Sequence, residues 1–259
     1  MRPASLLLSM LFLLVPLGGL HAQEKLQLGV SVDVVPVEAD FAGRNIVIFG
    51  AIEGADQPRL FRGEYEVLIE VIGELENAIV RKKDRIGGIW INAAAREYHD
   101  VPSFYSVSSG TTLDQVADLS LLSKKGIGID YLKAKPVELG NVEEFLTEGE
   151  FSSALRRTRI ENGLFSENPQ ALEMISPSLF RAAISLPPNV PIGTHTVRAH
   201  LFLNGVKLDE VKQSFEVRKV GFEEWVYDLA HEHSFLYGLI CVLLAIFTGW
   251  FANVVFRKN

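Results

Sequence analysis

An uncharged apolar stretch near the C-terminus, residues 235–256, constrains this chain more than any other feature. A helix rises about 1.5 Å per residue, so this stretch covers roughly 33 Å and can cross a hydrocarbon core of about 30 Å. Arg257 and Lys258 follow it directly, whereas the preceding residues are rich in Glu and Asp. Because Lys and Arg favour the cytoplasmic side, the sequence predicts a single-pass membrane protein with a cytoplasmic tail at 257–259.

A second, shorter apolar segment lies at the N-terminus. Arg2 precedes an apolar run over residues 6–17, and Ala22 is a small residue at a position suited to cleavage. This pattern predicts a signal peptide at 1–22. An uncleaved N-terminal anchor is the alternative, because Leu20 is large for the third position before a cleavage point. With either start, nearly all of the chain is expected outside the cytoplasm.

Composition restricts the classes of function. Hydrophobic residues make up 48% of the chain, charged residues 22%, and the net charge is −7, which argues against nucleic acid as a partner. The single cysteine, Cys241, lies inside the predicted span, so an intramolecular disulfide and a thiolate metal site are both excluded. The extramembrane part must therefore be held together by its own core.

Alternation of apolar and polar residues predicts β-strands on both sides of a helical region. Strands are expected at 25–34, 45–50 and 65–72, at 78–80 leading into the basic run 81–85, and at 89–91 after Gly87-Gly88. Further strands are expected at 179–186, 195–203 and 206–217. Asn204-Gly205 is a strong hairpin signal. Since the early strands are too closely spaced for crossover helices, we predict a mainly β fold, an immunoglobulin-like antiparallel β-sandwich over 23–221. Two separate domains are the alternative.

Residues 111–175 change to helical spacing and are predicted to form an insertion in this sandwich. Thr112 and Gln115 have the spacing of a capping box, a longer helix is expected over 142–160, and a short one over 169–175. Residues 222–234 are amphipathic, with apolar side chains at helical spacing opposite acidic ones. They predict an interfacial helix that leads into the span at 235–256.

Several segments together carry a family resemblance. They are Phe41-Ala-Gly43 before a strand ending in Phe49-Gly50, the basic hairpin 81–92, the proline-rich corner 186–193 and the tail 236–257. The chain resembles the alphaproteobacterial "putative transmembrane protein" family of unknown function. The resemblance implies a bacterial inner-membrane protein with its N-terminus in the periplasm, and an association with permeases of the sulfite-exporter type.

The expected function is that of a periplasmic accessory or binding subunit of an inner-membrane complex. A periplasmic solute-binding or sensing domain is the alternative. An enzyme is not expected, because the chain lacks a Gly-x-Ser-x-Gly elbow and phosphate-loop spacing. No cofactor or metal is expected either: His231 and His233 diverge by about 200° on a helix and cannot chelate one ion. His195 is expected in the core, and His200 on the opposite, polar face of its strand.

Two groups of residues are candidate interaction sites. Arg81, Lys83 and Arg85 share one face of a strand and could bind an oxyanion; charge that protects a solvated hairpin edge against aggregation is the alternative and the more common reason for such a cluster. Small residues form one stripe of the predicted span and include the Ala245-x-x-x-Gly249 spacing. This stripe predicts packing against another membrane protein or a second copy, with ordinary lipid contact as the alternative. Its members are Gly238, Cys241, Ala245, Thr248, Gly249 and Ala252.

Overall fold

The structure is a computed structural model that describes residues 24–137 and 148–256. The predicted signal peptide, the predicted tail at 257–259 and the first part of the predicted helix 142–160 lie outside these residues. The strands are β1 (Lys25–Val30), β2 (Val34–Val37), β3 (Arg44–Glu53), β4 (Tyr65–Ile72), β5 (Leu75–Ile86), β6 (Ile89–Pro102), β7 (Tyr105–Ser109), β8 (Lys135–Pro136), β9 (Phe165–Pro169), β10 (Leu172–Ser176), β11 (Leu179–Leu186), β12 (Gly193–Leu203) and β13 (Val206–Lys219). The helices are α1 (Gln57–Phe61), α2 (Leu113–Val116), α3 (Leu119–Lys125), a 3-10 helix (Ile129–Tyr131), α4 (Glu148–Glu161), α5 (Phe222–Glu232) and α6 (Ser234–Phe256).

Two sheets share one hydrophobic core. The first sheet has the order β1-β3-β11-β10, and the second has the order β2-β13-β12-β4-β7-β9. The backbone N–H of Leu26 in the first sheet donates to Asp209 Oδ2 in the second at 2.8 Å. The prediction of a mainly β fold is confirmed. At its two edges the second sheet departs from the predicted antiparallel pairing. Edge strand β2 pairs in parallel with β13, and edge strand β9 pairs in parallel with β7.

Alternation along β3 shows why these residues form the first sheet. Ile46 and Ile48 are buried, whereas Val47 and Phe49, which alternate with them along the strand, are exposed on the outer face. Gly50 follows where β1 and β11 both come close: a Cβ there would collide with the Gln27 carbonyl and the ring of Phe180. The strand therefore combines a one-sided apolar pattern with a glycine at its tightest contact.

The second sheet is buried on both of its faces. Every residue of β4 from Val67 to Val71 is buried, because α2, α3 and the 3-10 helix cover the outer face with side chains such as Leu122 and Ile127. Thr112 caps α2 by position, but its side chain makes no capping hydrogen bond, so the predicted capping box does not form. Gly126 ends α3 in the left-handed conformation, with φ of 72°.

Three predictions about secondary structure were wrong. The predicted strand at 25–34 is split between the two sheets, and Pro36 lies within edge strand β2, where its missing N–H costs no ladder hydrogen bond. Residues 169–175 do not form the predicted helix. They comprise the end of β9, a short turn and most of β10, because pairing with β7 and β11 overrides local helix propensity. The helical insertion therefore ends at Glu161.

Strands β5 and β6 form a two-stranded ribbon that continues the β4–β7 ladder beyond the sandwich. Ile72 lies opposite Tyr105 and Leu75 opposite Pro102, and Gly73 N donates to Phe104 O between these pairs at 2.8 Å. The ribbon belongs to a separate three-stranded sheet with β8. The prediction that 89–91 completes the sandwich was therefore wrong: these residues follow the ribbon's Gly87-Gly88 turn.

The opposite end of the second sheet carries the β12–β13 hairpin and confirms its predicted turn. Asn204 and Gly205 both have positive φ, 50° and 79°, as a two-residue hairpin turn requires. Strand β13 then runs through Val220 and Gly221 into α5, and α6 follows. Among the described residues, α6 is the helix that is long and apolar enough to cross a membrane, and none of its candidate span is buried.

Candidate functional site

The predicted anion-binding residues lie on one face of the ribbon near its turn. Arg81, Lys83 and Arg85 are all exposed on β5, and the alternation of the strand places them on the same side. Arg85 lies opposite Trp90 of β6, whose side chain is 69% exposed, and Arg85 Nε donates to Gly88 O at 3.3 Å. Arg81, Lys83 and Arg85 thus occupy alternate positions of one exposed strand, with the Trp90 ring opposite Arg85. Anion binding by these residues stays a prediction.

The other face of the same segment is apolar. Ile86 pairs with Ile89 across the turn, and Ile91 lies opposite Asp84. The three isoleucines are 54%, 67% and 39% exposed in chain order. We call residues 81–91 the ribbon tip. Solvent-exposed apolar side chains next to a dense group of cations are typical of an interaction surface.

A cavity of about 330 Å³ lies between the ribbon and α4. Helix α4 is held at the root of the ribbon by an ion pair between Arg159 and Glu76. Cationic side chains dominate the polar lining of the cavity, so a small anion is the class of ligand that its charge favours. The lining residues are Val80, Arg81, Lys82, Lys83, Glu150, Phe151, Ala154 and Arg157.

A buried polar network crosses four neighbouring strands on the outer face of the second sheet. Tyr105 Oη of β7 donates to Glu70 Oε1 of β4 at 2.6 Å, and His200 Nε2 of β12 lies 2.8 Å from Glu70 Oε2. His200 Nδ1 faces Glu210 Oε2 of β13 at 3.6 Å. Gly128 N also donates to Tyr105 Oη at 2.8 Å, which fixes the helical insertion to the sheet.

The surroundings of this network shift the pKa of two of its members in opposite directions. Burial, together with the neighbouring Glu70 carboxylate, raises the pKa of Tyr105 well above its usual range, so the phenol stays protonated and donates. A hydrogen bond from Lys207 lowers the pKa of Glu210 to about 2, so this carboxyl group stays ionised at neutral pH. At neutral pH, Tyr105 therefore remains a hydrogen-bond donor and Glu210 an acceptor.

The predicted helix-packing residues all lie on α6, and all of them are exposed. Beside Gly238 and Gly249 the structure has open space. Thr248 Oγ1 donates to the carbonyl oxygens of Leu244 and Ala245, at 2.8 and 3.1 Å, so its polar group is satisfied within the helix. Cys241 is a free cysteine. The stripe is thus uncovered by any described residue and remains a prediction.

The remaining histidines do not form a metal site in the part of the chain that the structure describes. His231 Nδ1 lies 2.9 Å from the Tyr227 carbonyl oxygen, and the two rings stack with centroids 4.0 Å apart. His99 Nδ1 lies 2.6 Å from Asn77 Oδ1. Within residues 24–137 and 148–256, no group of three or more His, Cys, Asp or Glu could hold a metal ion.

Comparison with protein families assigns the chain. The model of the family described as "Putative transmembrane protein (Alph_Pro_TM)" matches residues 25–258. The chain belongs to this family. The candidate span at α6 agrees with the family's description as transmembrane.

Other comparisons add little to the family assignment. No curated protein matches this family member. Among solved structures, it is similar to AggA, the major subunit of aggregative adherence fimbriae type I from Escherichia coli, at 11% identity and a TM-score of 0.27. That match covers 75% of this chain and 94% of the fimbrial subunit.

Sequence reasoning missed the buried network of this family member. His200 was predicted on a polar face but is 2% exposed, because the helical insertion covers that face. His195 is buried as predicted, and its ring stacks on Phe215 with centroids 5.2 Å apart. The sequence feature that could have indicated this network is Glu70, an acidic residue with apolar neighbours on both sides in β4.

Proposed function

We propose that the chain is a membrane-anchored periplasmic accessory or binding subunit of an inner-membrane complex. One observation carries this proposal: a folded β-domain is joined through two residues and α5 to an apolar helix that no described residue covers. The family match begins at residue 25, directly after the predicted signal peptide at 1–22, which supports export of the β-domain.

The uncovered helix also indicates the kind of partner. Without a neighbour, both the bulky face and the small-residue stripe of α6 would contact lipid alone. Small residues permit close approach of a second helix, so the stripe around Ala245 and Gly249 is the proposed contact with another membrane protein. The family resemblance makes a sulfite-exporter-type permease the candidate, and self-association of α6 is the competing arrangement.

Affinity capture of the full chain from native membranes tests the proposal. We expect a permease at near-stoichiometric yield, and we expect Ala245→Leu with Gly249→Leu to abolish its recovery. Leu243→Ala with Phe247→Ala, on the bulky face of α6, serves as the matched control and should retain the permease. Recovery of homodimers alone, from the original chain and from the control, would contradict the accessory role.

The proposed orientation has a separate test. In a Cys241→Ser background, a cysteine at Val206 in the β12–β13 hairpin should react with a membrane-impermeant maleimide in spheroplasts. A cysteine at position 258 should react only after the membrane is opened. The reverse pattern would place the β-domain in the cytoplasm and contradict periplasmic function.

Anion binding is the second candidate function, favoured by the cavity between the ribbon and α4. A small oxyanion such as sulfate or phosphate would meet Arg81, Lys83 and Arg157 there. If the cavity binds such an anion, millimolar sulfate should raise the unfolding temperature of the full chain. Lys83→Ala with Arg157→Ala should remove that increase, whereas Lys124→Ala with Lys125→Ala, on α3, should not.

A further inference from the structure

We propose that the ribbon tip binds the surface of the anionic phospholipid bilayer in which the chain is anchored. The chain would then contact the membrane at two places, α6 and the tip. This inference goes beyond the proposed accessory role, because it holds whichever protein contacts α6. It rests on the direction of the ribbon, on its reach and on the chemistry of its exposed side chains.

Strand directions place the ribbon at the end of the sandwich that leads to the membrane anchor. Strands β4 and β13 both pair antiparallel with β12, so they run in the same direction. Ile72, the last residue of β4, and Ser214 of β13 both lie opposite Thr196. From this level β4 continues into the ribbon and β13 continues into α5. Both segments therefore leave the sandwich at the same end.

The ribbon is long enough to cover the distance between the sandwich and the bilayer. Strand β5 has 12 residues, which at about 3.3 Å each extend roughly 40 Å beyond β4. On the other side, residues 215–221 extend about 23 Å beyond the same level, and α5, with 11 residues, adds about 16 Å before the span. Because the ladder from β4 and β7 into the ribbon is continuous, the ribbon continues beyond this end of the sandwich as a paired, regular structure.

The side chains at the tip have the two properties that an anionic lipid surface recognises. Trp90 and the three isoleucines are exposed apolar groups, and Trp is favoured at the boundary between headgroups and acyl chains. The cations Arg81, Lys82, Lys83 and Arg85 stand beside them on a chain whose net charge is −7. Asp84, between Lys83 and Arg85, accepts from the backbone N–H of Arg85 at 2.7 Å.

Lipid fits these observations better than a protein partner does. A bilayer takes up isolated exposed apolar groups together with scattered cations and needs no complementary shape. It also lies permanently close to the ribbon, so a weak intrinsic affinity suffices through the high effective concentration that anchoring provides. The far end of the second sheet, at the Asn204-Gly205 turn, provides an internal comparison within the same domain.

Fluorescence of the full chain in lipid nanodiscs tests this proposal. In a Cys241→Ser background, a cysteine replaces Ile89 at the ribbon tip and carries an environment-sensitive dye. The matched control carries the dye at Val206, which is 63% exposed at the opposite end of the sheet. In discs that contain phosphatidylglycerol, we expect a blue shift and several-fold stronger quenching by brominated lipid at position 89 than at position 206.

Charge reversal shows whether the lipid charge is recognised. The triple variant Arg81→Glu, Lys83→Glu, Arg85→Glu should reduce quenching at position 89 to the level at position 206, as should high salt. Lys124→Glu with Lys125→Glu, exposed on α3, should leave it unchanged. Far-UV circular dichroism and the unfolding temperature confirm that each variant is folded.

Three results would overturn the proposal. Equal quenching at positions 89 and 206 in phosphatidylglycerol discs would show that the tip does not contact lipid. Quenching that is as strong in phosphatidylcholine discs and insensitive to charge reversal would show that anionic lipid is not recognised. A dye at position 89 that becomes shielded only after a captured membrane protein is added would assign the tip to a protein partner.

Discussion

The buried network and the ribbon tip both consist of ionisable side chains, but they stand in opposite surroundings. In the network, Glu70 lies between the Tyr105 hydroxyl and the His200 ring, and water is excluded by the helical insertion. At the tip, Arg81 and Arg85 stand in solvent among exposed apolar groups. A buried, hydrogen-bonded charge contributes to the stability of the fold, whereas an exposed cation remains available to an external partner.

Magnitudes separate the two roles. Removing one partner of a buried hydrogen bond costs about 1–3 kcal/mol for each polar group that is left buried without a partner. Removing an exposed charge changes stability by about 0–1 kcal/mol. Variants of the network should therefore reduce the free energy of unfolding, and variants of the tip should change binding alone.

Glu70→Ala should have the largest effect on stability, a loss of about 3 kcal/mol in the free energy of unfolding. The substitution leaves Tyr105 Oη and His200 Nε2 without their acceptor inside the protein. Urea unfolding of the full chain in nanodiscs, followed by circular dichroism, measures it. Glu173→Ala, which breaks an exposed ion pair with Arg181, is the control. If both variants lost equal stability, the buried network would have no special role.

Tyr105→Phe should cost about 2 kcal/mol, since the ring stays but the hydroxyl is lost. Both Glu70 Oε1 and the Gly128 N–H then lose a buried partner. Because Gly128 belongs to the helical insertion, hydrogen exchange should increase first in residues 112–131. Unchanged exchange there would show that this hydrogen bond does not hold the insertion on the sheet.

Acid should remove a smaller contribution, about 1 kcal/mol, through Glu210. Its pKa is lowered from the ordinary 4.5 to about 2 by the Lys207 hydrogen bond. A lowered folded-state pKa contributes stability that is complete above pH 4.5 and is lost as the pH falls towards 2. The contribution of Glu210 to the free energy of unfolding is small for such a pKa shift, because solvent screens a side chain that is 29% exposed. Glu210→Gln should flatten this part of the stability–pH profile, and an unchanged profile would assign it to other carboxyl groups.

The smallest effect on stability is expected at the ribbon tip. Replacing Arg81, Lys83 and Arg85 together by Ala should change the free energy of unfolding by less than about 0.5 kcal/mol, since the three side chains are exposed. The same urea titration measures it. A loss near that of Glu70→Ala would show that these cations support the fold and would remove the contrast between the two regions.

The sequence predicted those elements whose pattern of apolar and polar residues is set by one adjoining environment, such as one side of a sheet or the bilayer. A short β-branched run identified β3, alternation identified β12, Asn204-Gly205 identified the hairpin turn, and the uncharged stretch identified α6. Sequence patterns failed where burial comes from a distant segment. Strand β7 was not predicted, because Ser106 and Ser108 are polar, yet both are buried between paired strands.

The two candidate surfaces were predictable to different degrees. The placement of the tip cations on one face follows from strand alternation alone, whereas anion binding by them stays a prediction. The network depends on the helical insertion lying over β12 and β4, a tertiary contact that no local pattern encodes. His200 lies on the face of β12 that was predicted to be polar and exposed. That face is buried only because the helices of the insertion cover it.

The unbroken ladder from the sandwich into the ribbon has a mechanical consequence. Strand β4 leads directly into β5 of the ribbon, and β6 of the ribbon leads directly into β7. A force applied at the tip would therefore act on β4 and β7. Bending at the tip loads the strands that carry Glu70 and Tyr105.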